Sequence, residues 1–149
     1  MGERTATKAT ATKRVLIVDD EPVVLKTLGA FFDRFRHGHA YEITTAESAA
    51  DAFTLLRGEQ FDLILLDIVI PAASGRWLSA EKYLGLGLLT RFRDLSVNAP
   101  VIMMTAGGWG APEKEAETRD AGVAEFIYKP IGFRELDEIV ARVLCSGAR

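Results

Sequence analysis

The amino-acid sequence predicts an α/β domain built on a five-stranded parallel sheet with helices on both faces. Three observations carry that expectation. Short, purely apolar runs of strand length recur along the chain, segments with apolar residues at helical spacing alternate with them, and the runs stop abruptly on polar side chains. The plainest run is Leu63 to Leu66, which ends at Asp67 and is followed by a turn closed at Pro71. An apolar run bounded in this way suits a strand buried on both faces.

The other elements follow in order. Residues Met1 to Lys13 are mostly Thr, Ala and Lys, lack the burial needed to offset ordering entropy, and are read as a disordered tail. Val15 to Val18 (VLIV) is the first strand and ends on Asp19, Asp20 and Glu21. Pro22 fits the first position of a helix in which Val24, Leu28, Phe31, Phe32 and Phe35 recur at helical spacing, and this phenylalanine stripe reads as core. Tyr41 to Thr45 reads as the second strand. Ser48 with Asp51 resembles a capping box opening a helix buried through Ala52, Leu55 and Leu56 and ending at Gly58. After the Asp67 strand, a helix is expected from Ser79 with a seam of Leu84, Leu88, Phe92 and Leu95, weakened by Gly85 and Gly87. Val101 to Met104 (VIMM) is the fourth strand, ending on Thr105 and Ala106. A Gly-rich stretch, Gly107 to Gly110, leads to a polar helix candidate, Glu113 to Ala121, whose inner face carries only alanines. Glu125 to Tyr128 is the fifth strand, ending on Lys129 and Pro130, and a last helix buries Phe133, Leu136, Ile139, Val140 and Val143. Strand and helix alternate with short connections, which fits a flavodoxin-like doubly wound sheet of order 2-1-3-4-5 better than a barrel.

Composition sets the class. At 149 residues, 48% hydrophobic and 26% charged, the chain has the size and balance of one globular domain. Residues 14–145 are read as that domain and 146–149 as a short tail. No apolar stretch reaches membrane-span length, and the N-terminus has no signal-peptide pattern, so residence in the cytoplasm is the expectation. The single cysteine, Cys145, reads as a packing residue. A formal net charge of −3 gives no global sign of a nucleic-acid surface.

In a parallel sheet the carboxyl ends of the strands share one rim, where open α/β folds place their chemistry. Asp19 and Asp20, Asp67, Thr105 and Lys129 therefore converge there although they are far apart in sequence. Carboxylates gathered in this way repel one another unless a cation neutralises them. An all-oxygen donor set selects a hard ion, and Mg2+ fits because it needs few protein ligands and keeps waters and phosphate oxygens. With a lysine and a hydroxyl added, the set matches phosphoryl transfer onto a carboxylate nucleophile.

These residues resemble a known family. VLIVDDEP at Val15 to Pro22, D-x-x-x-P-x-x-x-G at Asp67 to Gly75, T-A at Thr105 and K-P at Lys129 are similar to the motifs of the receiver domain of two-component response regulators, the CheY-like superfamily. The resemblance runs from about Arg14 to Cys145. It implies that Asp67 accepts a phosphoryl group from a phosphohistidine of a sensor histidine kinase or phosphotransfer protein. It also implies that Asp20 is the main side-chain Mg2+ ligand beside Asp67, with Asp19 acting through water and the Val69 backbone carbonyl completing the set. Thr105 would hydrogen-bond the phosphoryl group, Lys129 would pair with it, and Phe126 would sit at the aromatic switch position. The switching surface would be the polar fourth helix, the fifth strand and the last helix, open to a downstream protein target or to homodimerisation. Such a domain is a phosphoacceptor that assists its own phosphotransfer and dephosphorylation rather than a turnover enzyme. No direct contact with nucleic acid or membrane is expected of it, and no output domain is expected after Cys145.

The sequence departs from the family pattern at Ser74, where an acid is common, in an added Arg76 to Tyr83 segment, and in the Gly-rich loop carrying Trp109. His37 and His39, flanking Gly38, read as solvent-exposed turn residues rather than a metal pair. Two other functions use similar residues. A haloacid-dehalogenase-type phosphohydrolase needs a second acid two residues after its nucleophile, and Val69 stands there. A receiver used only for docking would have no need of the full set of Asp19, Asp20, Asp67, Thr105 and Lys129.

Overall fold

The computed structural model describes residues 11–70, 95, 97–106 and 122–147. Among these, five strands form one sheet: β1 (Thr12–Val18), β2 (Ala40–Ala46), β3 (Leu63–Asp67), β4 (Val101–Thr105) and β5 (Glu125–Tyr128). The strand order is β2-β1-β3-β4-β5 and every pairing is parallel, as the sequence predicts. Three helices are described: α1 (Pro22–Arg34), α2 (Ala49–Gly58) and the C-terminal α3 (Phe133–Gly147). The expected helices from Ser79 and from Glu113, the Arg76 to Tyr83 segment and the Gly107 to Gly110 loop lie outside the described residues.

Alternation along each strand divides the core into two layers. Val15, Ile17, Leu63, Leu65, Ile102, Met104 and Ile127 face α1 and α3, meeting Leu28 and Phe32 of the one and Leu136, Val140 and Val143 of the other. Leu16, Val18, Ile64, Leu66, Val101, Met103 and Phe126 face the opposite way and pack on Ala52 and Leu56 of α2. Both faces of β3 are therefore covered, which is why its sequence is an unbroken apolar run.

Local signals place the helices. Pro22 opens α1, where its missing N–H costs nothing. The backbone N–H of Asp51 donates to Ser48 Oγ at 3.1 Å, so Ser48 caps α2. Strand β1 begins at Thr12, three residues before the apolar run does, because Thr12 and Lys13 pair with Ala40 and Tyr41 of β2. Cys145 is exposed on the outer side of α3 rather than packed.

The turn between α1 and β2 differs from expectation. Gly38 takes a positive φ of 87°, a conformation open to glycine, and this folds the flanking histidines back onto the protein. His37 is not a solvent-exposed turn residue: its side chain is 11% exposed and its ring stacks on Phe35 at 4.9 Å. Its Nδ1 lies 2.6 Å from the Tyr41 hydroxyl and its Nε2 2.5 Å from Asp137 Oδ1 of α3. Phe31, Phe35 and Phe133 complete this aromatic layer between α1 and α3. Buried beside Asp137, the Tyr41 hydroxyl is pushed up to about 12.

His39 is half-buried against Tyr41, and its Nε2 is buried with no hydrogen-bond partner among the described residues. Burial first, and then the Lys13 and His37 charges, hold His39 below the usual histidine range, with Asp62 opposing. The folded state thus favours neutral His39, whose stabilisation is present above the unfolded value and is lost as pH falls through it. Lowering pH from about 8 to about 5.5 is expected to shift the Tm difference between wild type and His39→Asn in favour of the variant. A difference that stays constant across that range contradicts this assignment.

Candidate functional site

The parallel register brings the strand ends to one rim. Asp19 and Asp20 follow β1, Asp67 is the last residue of β3, Thr105 is the last of β4, and Lys129 follows β5. Backbone bonds carry the pairing past the strand ends: the Asp19 N–H donates to Ala46 O at 3.0 Å, Ile68 to Met104 O at 2.9 Å and Lys129 to Thr105 O at 2.7 Å. Each functional side chain thus starts from a backbone held by its neighbour.

Asp19 is fully buried and Asp67 is 5% exposed, whereas Asp20 is half-buried. Asp19, Asp20 and Asp67 each present a carboxylate oxygen within 4.8 Å of the other two, the only such group of metal-binding side chains among the described residues. Backbone donors orient two of them: Glu21 N–H reaches Asp19 Oδ1 at 2.9 Å and Val69 N–H reaches Asp67 Oδ1 at 3.0 Å. The opposite oxygens face Lys129, whose Nζ lies 2.8 Å from Asp67 Oδ2 and 2.7 Å from Asp19 Oδ2. The Asp67 contact is a hydrogen bond, while the approach to Asp19 is an ion pair of poorer direction that leaves Asp19 Oδ2 buried without an aimed donor.

One ammonium does not balance this much buried negative charge. Burial, followed by the Asp19 charge, pushes the Asp67 carboxyl up to about 7, against the pull of Lys129 and the Val69 N–H. Burial and Asp19 also raise Asp20. Lys129 responds in the reverse sense: burial works against its charge, but Asp19 and Asp67 outweigh burial and raise its pKa. An all-oxygen donor set, crowded, under-neutralised and holding a buried oxygen without a directed donor, fits a hard divalent cation.

Thr105 stands on the rim beside β3 and β5, half-buried. Phe126 is 8% exposed, sits in the layer with Ile64, Leu66 and Met103, and meets Tyr128 edge-on at 5.3 Å. The rim therefore gathers Asp19, Asp20, Asp67, Val69, Thr105 and Lys129, with Phe126 buried one turn of the pleat below.

A family model, the response regulator receiver domain, matches residues 15–141. The chain belongs to this family. Among curated receivers and regulators, it is 30% identical over 138 residues to protein PilH of Pseudomonas aeruginosa, covering 89% of this chain and 98% of that one. It is 32% identical over 117 residues to transcriptional regulatory protein GlrR of Escherichia coli, covering 78% of this chain but 23% of the relative. The receiver thus spans about a quarter of the length of that regulator. A CheY-like receiver domain protein from Methanospirillum hungatei superposes with a TM-score of 0.73 at 27% identity, covering 93% of this chain and 98% of the other.

One residue of this receiver's rim, Glu21, carries a contact that its sequence position alone does not assign. Glu21 Oε1 lies 3.2 Å from Lys129 Nζ, a third carboxylate on the same ammonium. The available signal was an acid at the position before Pro22, next to the aspartate pair and on the same rim.

Proposed function

We propose that this receiver accepts a phosphoryl group on Asp67 from the phosphohistidine of a sensor histidine kinase or phosphotransfer protein, and that the acyl phosphate changes which proteins it binds. The observation that carries this reading is the Lys129 ammonium held 2.8 Å from Asp67 Oδ2 within a crowded, buried set of carboxylates. In the transfer, a carboxylate oxygen of Asp67 attacks phosphorus, the P–N bond to the donor imidazole breaks, and its electron pair stays on the ring. Lys129 then pairs with a phosphoryl oxygen and the Thr105 hydroxyl donates to another. Mg2+ held by Asp20, Asp67, Asp19 through water and the Val69 carbonyl would supply the positive charge that keeps Asp67 ionised and screens the incoming oxygens. Before transfer, Val69 N–H donates to Asp67 Oδ1 and Lys129 Nζ to Oδ2, so both oxygens are held by donors.

Recruitment of Thr105 to the phosphoryl group couples to Phe126 through the pairing of β4 with β5, in which Met103 stands opposite Phe126 and Thr105 opposite Tyr128. The surface carrying β5 and α3 is the readout, presented to a downstream protein target or to a second copy of the chain in the cytoplasm. Incubation with acetyl phosphate and Mg2+, followed by intact mass and fragmentation, is expected to show one added phosphoryl group on Asp67 that a chelator prevents. No addition, or addition at another residue, sinks the reading.

A further inference from the structure

We propose that Glu21 is a positioning residue that holds Lys129 at the mouth of the site and so slows the entry of an anionic phosphoryl donor. This rests on the phosphoacceptor reading of Asp67 and goes beyond it in naming a residue that sets the rate.

Lys129 Nζ is shared by three carboxylates, at 2.7 Å from Asp19, 2.8 Å from Asp67 and 3.2 Å from Glu21. Asp19 and Asp67 are buried, whereas the Glu21 side chain is 57% exposed. Glu21 is therefore the solvent-side partner, the one an approaching anion meets first. Its backbone is fixed: the N–H donates to Asp19 Oδ1, and the carbonyl accepts from the Val24 and Leu25 N–H groups at the start of α1. Glu21 is the N-cap residue of α1, yet its side chain makes no capping hydrogen bond and reaches instead to a lysine 108 positions away. The side chain is thus spared from holding the helix.

Its effect on the reaction follows from competition for one cation. Phosphoryl oxygens arriving at Asp67 need the Lys129 ammonium, and every carboxylate already on Nζ must give way. The two buried acids are anchored by backbone donors, so Glu21 is the partner that yields. Until it does, it occupies Lys129 and adds a negative charge facing the donor. An exposed pair of this kind is worth little, so the change in rate is modest and is screened by salt.

The test compares wild type with Glu21→Gln, which keeps the length and removes the charge, and Glu21→Asp, which keeps the charge but draws it back from Lys129. Both variants are expected to take up phosphate from acetyl phosphate with Mg2+ about 2- to 5-fold faster than wild type at low ionic strength, the difference fading toward 0.5 M salt. In the metal-free protein, without any donor, the Lys129 ammonium signal in 15N NMR is expected to exchange its protons with water faster in both variants. Acceleration by Glu21→Gln alone, with Glu21→Asp matching wild type, means that charge at a distance suffices and overturns the positioning role. Equal rates in all three proteins, or an unchanged Lys129 signal, overturn it too. No uptake by wild type overturns the phosphoacceptor reading and this proposal together, whereas normal uptake with unaltered variants removes this proposal alone.

Discussion

Replacing Asp67 with Asn is expected to abolish phosphoryl uptake from acetyl phosphate while making the metal-free protein more stable by about 1–3 kcal/mol. The two effects have one cause. A carboxylate 5% exposed beside a fully buried Asp19 is the nucleophile the chemistry needs and also a charge the fold resists. The pH dependence follows from its sign. The folded-state value, about 7, lies above the ordinary carboxylate value, so the charged form is the one that folding penalises. The penalty is absent below about pH 4, where the group is protonated folded or unfolded, and grows until the folded group has ionised above about pH 7. In urea titrations with chelator present, the advantage of Asp67→Asn should therefore be largest near pH 8 and vanish near pH 4. A variant no more stable than wild type at pH 8 would show that Lys129 compensates the site fully.

Lys129→Met should have the opposite effect. It removes the ammonium shared by Asp19, Asp67 and Glu21, at distances of 2.7, 2.8 and 3.2 Å, and leaves two of these carboxylates buried. Removing one partner from a buried ion pair costs about 3–5 kcal/mol, because the remaining charge stays desolvated. A loss of about 3 kcal/mol in metal-free protein is expected here, since protonation of Asp67 relieves part of the strain. The double variant Asp67→Asn/Lys129→Met should lose less than the sum of the two single effects, because Asp67 costs more once its ammonium is gone, a coupling of about 1 kcal/mol or more. Added Mg2+ should restore more stability to Lys129→Met than to wild type, because it faces a site with no resident cation to displace. A loss below about 1 kcal/mol for the single variant would mean that solvent reaches the acids.

The legible part of this protein was its sheet and the rim of that sheet. A strand covered on both faces must be apolar at every position, so Leu63 to Leu66 and Val101 to Met104 announce themselves without alternation. Once the strands are parallel, topology alone brings Asp19, Asp67, Thr105 and Lys129 to one edge. Contacts that depend on side-chain reach were not legible. The Glu21 to Lys129 pair and the His37 to Asp137 pair join residues about a hundred positions apart, and neither carries a local pattern. The burial of the aspartate pair was equally hidden: Asp19 is fully buried and faces Lys129, while Asp20 is half-buried. Thr12 and Lys13 join β1 through main-chain bonds that hydrophobicity does not report.

The seat of Asp67 has a mechanical consequence. It closes β3 between β1 and β4, and the next residue, Ile68, is tied to Met104 by its own backbone bond. Its carbon skeleton has no slack, so the strand behaves as an anvil. Bulk added to that carboxylate cannot be absorbed by recoil of the central strand, and the thrust passes outward to the side chains of the rim.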